Sequence, residues 1–134
     1  MNQRKLEEFG AFQKANQLFD MVVEDMTLLS KNPLCWRLVS QQIASADSIC
    51  ANIEEGYGRG SRKDYAHFLV QARGSARETY GRYQRMKHWV AAEVIQNRTA
   101  LCDEIIAILT ATINRLRESP RPSPLLPTAS PHAN

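Results

Sequence analysis

Side chains able to do chemistry are few and scattered. The three histidines are His67, His88 and His132, and the nearest approach to metal-ligand spacing is a lone Asp64-x-x-His67. A dinuclear metal bundle needs a Glu from each of two helices and two Glu-x-x-His motifs, so no metal site is expected. Cys35, Cys50 and Cys102 are odd in number and widely spaced, without a Cys-x-x-Cys or a His at ligand spacing. That spacing argues against a disulfide framework or structural zinc and predicts buried, structural thiols. The chain has no His-Glu-x-x-His, Gly-x-Ser-x-Gly or phosphate-cradling Walker loop. Neither an enzyme nor a cofactor is expected.

The cations are better organised. Arg59, Arg62, Lys63, Arg73, Arg77, Arg82, Arg85 and Lys87 lie in residues 59–88 with only Asp64 and Glu78 as acids, a net of +6. Residues 1–58 hold five basic and eight acidic side chains, and residues 89–134 hold four of each. The overall +3 of the 134-residue chain is therefore an average over unlike parts. At 100° per residue most of these cations fall opposite Tyr65, Ala72 and Tyr83. Arg62, Arg73, Arg77 and Lys87 mark one edge, Lys63 and Arg85 extend it, and His67 and His88 share the surface. The stripe is roughly 37 Å long at 1.5 Å per residue. Phosphates of RNA or DNA complement such a stripe, and counterion release supplies affinity. The alternative is a structural or protein-interaction module whose cations pair between subunits.

Two polar clusters flank the stripe. Asn52-Ile-Glu-Glu-Gly-Tyr-Gly-Arg59 reads best as a helix stop, with Gly56 as a left-handed cap and Arg59 satisfying terminal carbonyls; the other reading is a polar surface site. Gly74-Ser75-Ala76-Arg77-Glu78, followed by Gly81, places two glycines on one helix face. Each costs roughly 1 kcal/mol against Ala, which points to close packing by another helix or subunit.

Periodicity supplies the elements that carry these residues. Phe12, Ala15, Phe19, Val22, Met26 and Leu29 alternate spacings of three and four, predicting a helix from about Glu7 to Leu29. Ser30-Lys-Asn-Pro33 breaks it. Trp36, Val39, Ile43, Ala46, Cys50 and Ile53 predict a second helix from about Leu34 to Glu55, with the small residues Ala44, Ser45, Ser48 and Ala51 beside the stripe. A third opens at Ser61, which caps it with Asp64 three residues on, and ends near Trp89. A fourth covers roughly Ala92 to Glu118; Leu101, Cys102, Ile105, Ile106, Ile108, Leu109, Ile113 and Leu116 give it an unusually broad apolar arc. Four such helices with short connections predict an all-α, antiparallel up-down-up-down four-helix bundle.

The bundle occupies about residues 1–119. Of six prolines only Pro33 precedes residue 120; Pro120, Pro122, Pro124, Pro127 and Pro131 make 120–134 a Pro-rich, extended or disordered tail. At 43% hydrophobic and 23% charged the composition is that of a globular chain. No segment approaches a membrane span, no apolar signal segment opens the chain, and a cytoplasmic location is expected.

Phe12-Gln-Lys-Ala15, Ser48-Ile49-x-x-Asn52-Ile53-x-Glu55-Gly56-x-Gly58-Arg59-x-Ser61 and Phe68-Leu69-x-x-Ala72-x-Gly74-Ser75-x-x-Glu78 resemble the bacterial S23 family of four-helix bundle proteins, named for 23S rRNA intervening sequences. The resemblance covers about residues 9–117. It implies a cytosolic homopentamer, in a family most of whose members have no established biochemical activity. A related branch, the accessory variability protein of diversity-generating retroelements, binds nucleic acid and a reverse transcriptase. The signature positions are Asn52, Glu55, Gly56, Arg59, Gly74, Ser75 and Glu78. Many members carry a basic pair before the Asn-Ile motif; here that region reads Ile43-Ala-Ser-Ala-Asp47, which leaves the third helix to carry any nucleic-acid face.

Overall fold

Five α-helices and two 3-10 turns form the described residues, 3–118, of the computed structural model. They are α1 (Gln3–Glu8), α2 (Gly10–Leu29), α3 (Trp36–Tyr57), α4 (Arg62–Arg85) and α5 (Ala92–Arg117), with 3-10 turns at Pro33–Cys35 and Met86–His88. The expected Pro-rich tail lies outside the described residues. The first predicted helix is broken at Phe9, whose extended backbone begins α2. The third ends as α-helix at Arg85, earlier than expected, and tightens into a 3-10 turn before Trp89.

Local chemistry accounts for the boundaries. Asn32 Oδ1 accepts from Leu34 N at 3.0 Å and starts the 3-10 turn in which Pro33 needs no donor. Ser61 is the N-cap of α4, its hydroxyl accepting from Asp64 N at 3.1 Å, as the sequence predicts.

Four long helices pack as a bundle, α4 lying against both α3 and α5, and α2 closing the other side. Partners across each interface run in opposite directions: Gln42 meets Thr79 and Ser48 meets Ser75 across α3–α4. Arg62 meets Arg115 and Arg73 meets Thr110 across α4–α5. Lys14 meets Glu104 and Asp25 meets Arg98 across α2–α5. The core is formed by Leu18, Val22, Met26, Ile49, Ile53, Leu69, Tyr83, Met86, Ile105, Leu109 and Ile113, with Ala11, Ala15, Ala46, Ala72 and Ala76 where helices approach closely. Cys35, Cys50 and Cys102 are free and buried, as expected.

The buried stripes are rotated from those the spacing suggested. On α2, Ala11 and Leu18 are buried, while Phe12 and Phe19 are only half-buried. On α3, Trp36 is 63% exposed, and the polar Gln42 and Ser45 lie inside. An apolar arc wider than the contact leaves its edge residues partly outside, and spacing alone does not choose the edge.

Gly56 corrects a second expectation. It is no left-handed cap: α3 continues to Tyr57, Gly58 closes it at φ −79°, and no described glycine has positive φ. Gly56 is buried, and an added Cβ would lie 2.7 Å from Phe68 Cβ and 3.1 Å from Tyr65 Cδ1. It is a contact glycine that lets α3 close onto α4. Gly74 is the reverse case, because nothing among the described residues lies within 4 Å of its Cβ position, so no described helix accounts for it. Gly56→Ala is expected to destabilise the fold by about 1–3 kcal/mol through overpacking. Gly74→Ala is expected to stabilise it by about 0.5–1 kcal/mol. Urea unfolding of the two variants checks both signs, and equal effects would contradict this assignment.

Candidate functional site

The two sides of α4 carry different chemistry. Toward α3 runs a polar seam. Gln42 Nε2 donates to Thr79 O at 2.9 Å, the Ser45 and Thr79 hydroxyls are 2.8 Å apart, and Ser75 Oγ donates to Ser48 Oγ at 2.9 Å. Asn52 Nδ2 continues the seam, donating to Ser48 O at 2.9 Å. Buried polar groups are stable only when paired, and here they are. Arg82 turns into this seam, its Nη1 donating to Gln42 Oε1 at 2.9 Å and Ser45 Oγ at 3.0 Å. Burial pushes its pKa down, aided by Arg85 and opposed by Glu78. Arg82 is thus a packing group and not part of the expected basic stripe.

Arg59 also leaves the stripe. It forms an ion pair with Glu55 one turn earlier, and its guanidinium lies 4.9 Å from the centre of the Phe68 ring. That contact replaces the expected carbonyl cap. Asn52, Glu55, Gly56, Arg59 and Ser75 are therefore brought together along one α3–α4 joint. Glu78 lines a small cavity of about 310 Å³ on the same side with Ser48 and Ser75. Gly74 stands apart from these contacts.

Toward α5 the remaining cations gather. Arg62 Nη2 donates to Arg115 O at 2.6 Å, satisfying a carbonyl at the end of α5. Arg73 Nη1 donates to Thr110 Oγ1 at 3.2 Å, while its Nε is buried without a partner. Burial lowers the Arg73 pKa, and the neighbouring Arg77 and Arg117 push it the same way. Lys63, Arg77, Arg85 and Lys87 are exposed, with no ion-pair partner among the described residues. Two cavities occupy opposite ends of this α4–α5 side. One, of about 530 Å³, is lined by Arg62, Lys63, Ala66, His67, Leu116, Arg117 and the carboxylate Glu118. The other, of about 840 Å³, lies where α4 turns into α5 and includes Arg85, Lys87 and His88.

Sequence reasoning missed a cluster at that same turn. Tyr83 OH donates to Asp25 Oδ2 at 2.7 Å, and Arg98 grips Asp25 through Nε at 2.8 Å and Nη2 at 3.0 Å. Spacing assigned Asp25 no role; its place between Val22 and Met26 on the buried face of α2 was the available signal. Donation to the Asp25 carboxylate, together with its negative charge, raises the Arg98 pKa against the effect of burial.

No group of three or more His, Cys, Asp or Glu among the described residues could hold a metal ion. No described helix is long and apolar enough to cross a membrane.

An all-helical bundle is the class that this fold defines. The chain belongs to the 23S rRNA-intervening sequence protein family, whose model matches residues 7–111. It is similar in structure to a protein of unknown function from the S23 ribosomal protein family of Bacteroides thetaiotaomicron. The TM-score is 0.73 at 23% identity, over 77% of this chain and 97% of that one. At that identity the likeness speaks for the fold. No curated protein matches the chain.

Burial also sets a pH limit. It pushes the Cys50 thiol from 9.0 to about 12, with Glu54 and Asp47 adding to it, and Cys102 from 9.0 to about 12, with Asp103 adding. Burial pushes Tyr65 from 10.0 to about 12, and Tyr83 is raised further, first by burial and then by its bond to Asp25. The folded chain keeps protons that the unfolded chain releases above about pH 9, so the unfolded state binds fewer protons, unfolding releases them, and stability falls as pH rises. The urea midpoint is expected to drop progressively between about pH 9 and pH 11, within the range set by those ordinary values. A midpoint that holds steady across that interval would contradict the burial of these groups.

Proposed function

We propose that this chain is a non-catalytic, self-associating helical bundle that binds RNA or DNA along the α4–α5 groove. The observation that carries this reading is the placement of two cation-lined cavities toward opposite ends of the α4–α5 side of the bundle. Between them lies Arg73, which feels the positive charges of Arg77 and of Arg117 at the smaller cavity. Of the two acids of α4, Asp64 sits in its first turn and Glu78 on the opposite, α3 side. Glu118 is the one carboxylate lining either cavity, so cations outnumber acids there, and an excess of like charge raises the local potential and attracts a polyanion. The groove spans Arg62 to Lys87, about 37 Å at 1.5 Å per residue, enough to follow several phosphates.

Lys63, Arg77 and Arg85 changed together to Glu test this reading, since they have no partners whose loss would unfold the chain. Wild-type affinity for single-stranded RNA is expected to fall steeply between about 50 and 200 mM salt. The triple variant is expected to lose binding, with a log–log salt slope shallower by about 2 for three lost phosphate contacts. Fluorescence anisotropy reads both. Unchanged RNA binding refutes the reading, and light scattering that shows the variant alone dissociating favours cations paired between subunits.

Self-association rests on a separate feature. Val23, Leu28, Leu34, Trp36 and Trp89 are the exposed large hydrophobics of the described residues, and all lie toward the end where α2 meets α3 and α4 meets α5. An apolar patch gathered at one end is the surface that a partner subunit covers. Wild-type protein is expected to scatter light as an oligomer at micromolar concentration, and Leu28→Lys with Leu34→Lys to reduce its mass. A monomeric wild type refutes self-association.

A further inference from the structure

The two ends of the groove are not equivalent, and the larger cavity holds a second kind of chemistry beside its cations. Its volume of about 840 Å³ lies within the range of pockets that enclose small organic ligands. Arg85 and Lys87 supply two permanent positive charges. Gly81 lies beneath Arg85: a Cβ there would stand 3.3 Å from Arg85 Nη1. The missing side chain therefore lets the guanidinium fold back over the helix beside the cavity.

Gln84 and Gln96 line the same cavity from α4 and α5. Each primary amide offers donors and an acceptor, and neither has a hydrogen-bond partner among the described residues. Val90 and Ile95 give the cavity an apolar wall, and no carboxylate lines it. His88 adds an aromatic ring, held edge-on against Trp89 with centroids 5.5 Å apart. The opposite cavity also has a histidine ring, His67, edge-on against Phe68 with centroids 5.7 Å apart, and an apolar residue, Leu116; it differs in including Glu118, in having no side-chain amide, and in that its Arg62 is committed to the Arg115 carbonyl.

Cations, unpartnered amides, an apolar wall and an aromatic ring in one cavity match the parts of a nucleotide. We infer that this cavity holds one unpaired nucleotide of a single strand. Its phosphate lies between Arg85 and Lys87, its base lies against Val90, Ile95 and His88, and the hydrogen-bonding edge of the base meets Gln84 and Gln96. The inference rests on the groove reading and narrows it from polyanions in general to a strand whose base edges are free. In a duplex those edges are paired and the stacked base cannot enter.

Fluorescence anisotropy with the full chain tests it. The probes are a 12-nucleotide single-stranded RNA, the DNA of the same sequence and the blunt RNA duplex. The single strands are expected to bind about tenfold more tightly than the duplex, and the RNA and DNA arms show whether the sugar matters. Gln84→Ala with Gln96→Ala is expected to cost the single strand about five- to tenfold, the loss of two hydrogen bonds of ordinary strength. Duplex binding and the salt slope are expected to stay the same. Because both amides are exposed and unpartnered, the helical circular dichroism and melting of this variant should match wild type. Salt-dependent binding with no strand preference, or none lost on removing the amides, overturns the inference and leaves the groove reading standing. Binding to none of the probes at 50 mM salt overturns both. Displacement of the RNA by a glutamate-rich peptide, with the same dependence on Gln84 and Gln96, also overturns the inference.

Discussion

The close approach of α3 to α4 is the constraint on which the rest of the arrangement depends. At one end it is possible because Gly56 has no side chain, and Phe68 and Tyr65 occupy the space a Cβ would take. Further along, the surfaces that meet are Ser45, Ser48, Ser75 and Thr79, small enough to let the backbones close and polar enough to bond across the gap. A seam of this kind tolerates little change, since removing one member leaves its partner buried and unpaired. It also fixes the rotation of α4 about its own axis. Once Thr79 and Ser75 face α3, Arg73, Arg77 and Arg85 are committed to the other side or to solvent.

That rotation sorts the cations of one helix into two populations. Arg82 enters the seam and Arg59 folds onto Phe68 and Glu55, so both serve packing. The exposed Arg59–Glu55 pair contributes little as an ion pair; its weight lies in covering the joint. Arg62 and Arg73 tie α4 to α5 and still leave charge at the groove. Lys63, Arg77, Arg85 and Lys87 stay uncommitted, and on them any polyanion would depend.

The far end of the bundle is held differently. Asp25, gripped by Arg98 and capped by Tyr83, joins α2, α4 and α5 through one carboxylate. A nearly buried charge is acceptable there because every bonding direction used is met, and breaking it from one side would strand the other. The tie also anchors the start of α5, which forms one wall of the larger basic cavity. The two histidines of the described residues, His67 and His88, line separate cavities.

The four long helices and most of their boundaries were legible because apolar residues recur at helical spacing and because Pro33 and Ser61 act through local backbone chemistry; the break at Phe9 was not. Family membership was legible in the Asn52 to Ser61 and Gly74 to Glu78 segments, whose residue types stand at fixed separations. The segregation of charge into residues 59–88 was equally plain, since it needs only counting. What lay beyond the sequence was the use of each residue once helices met. Gly56 looked like a cap and is a contact, Arg82 was counted in the outer stripe and is half-buried in a seam, and Asp25, to which spacing assigned no role, is the hub of a tie. The physical reason is the same in each case. Propensity and periodicity are properties of one helix, whereas the edge of a stripe, the partner of a charge and the space beside a glycine belong to two helices at once, and only the packed bundle decides them.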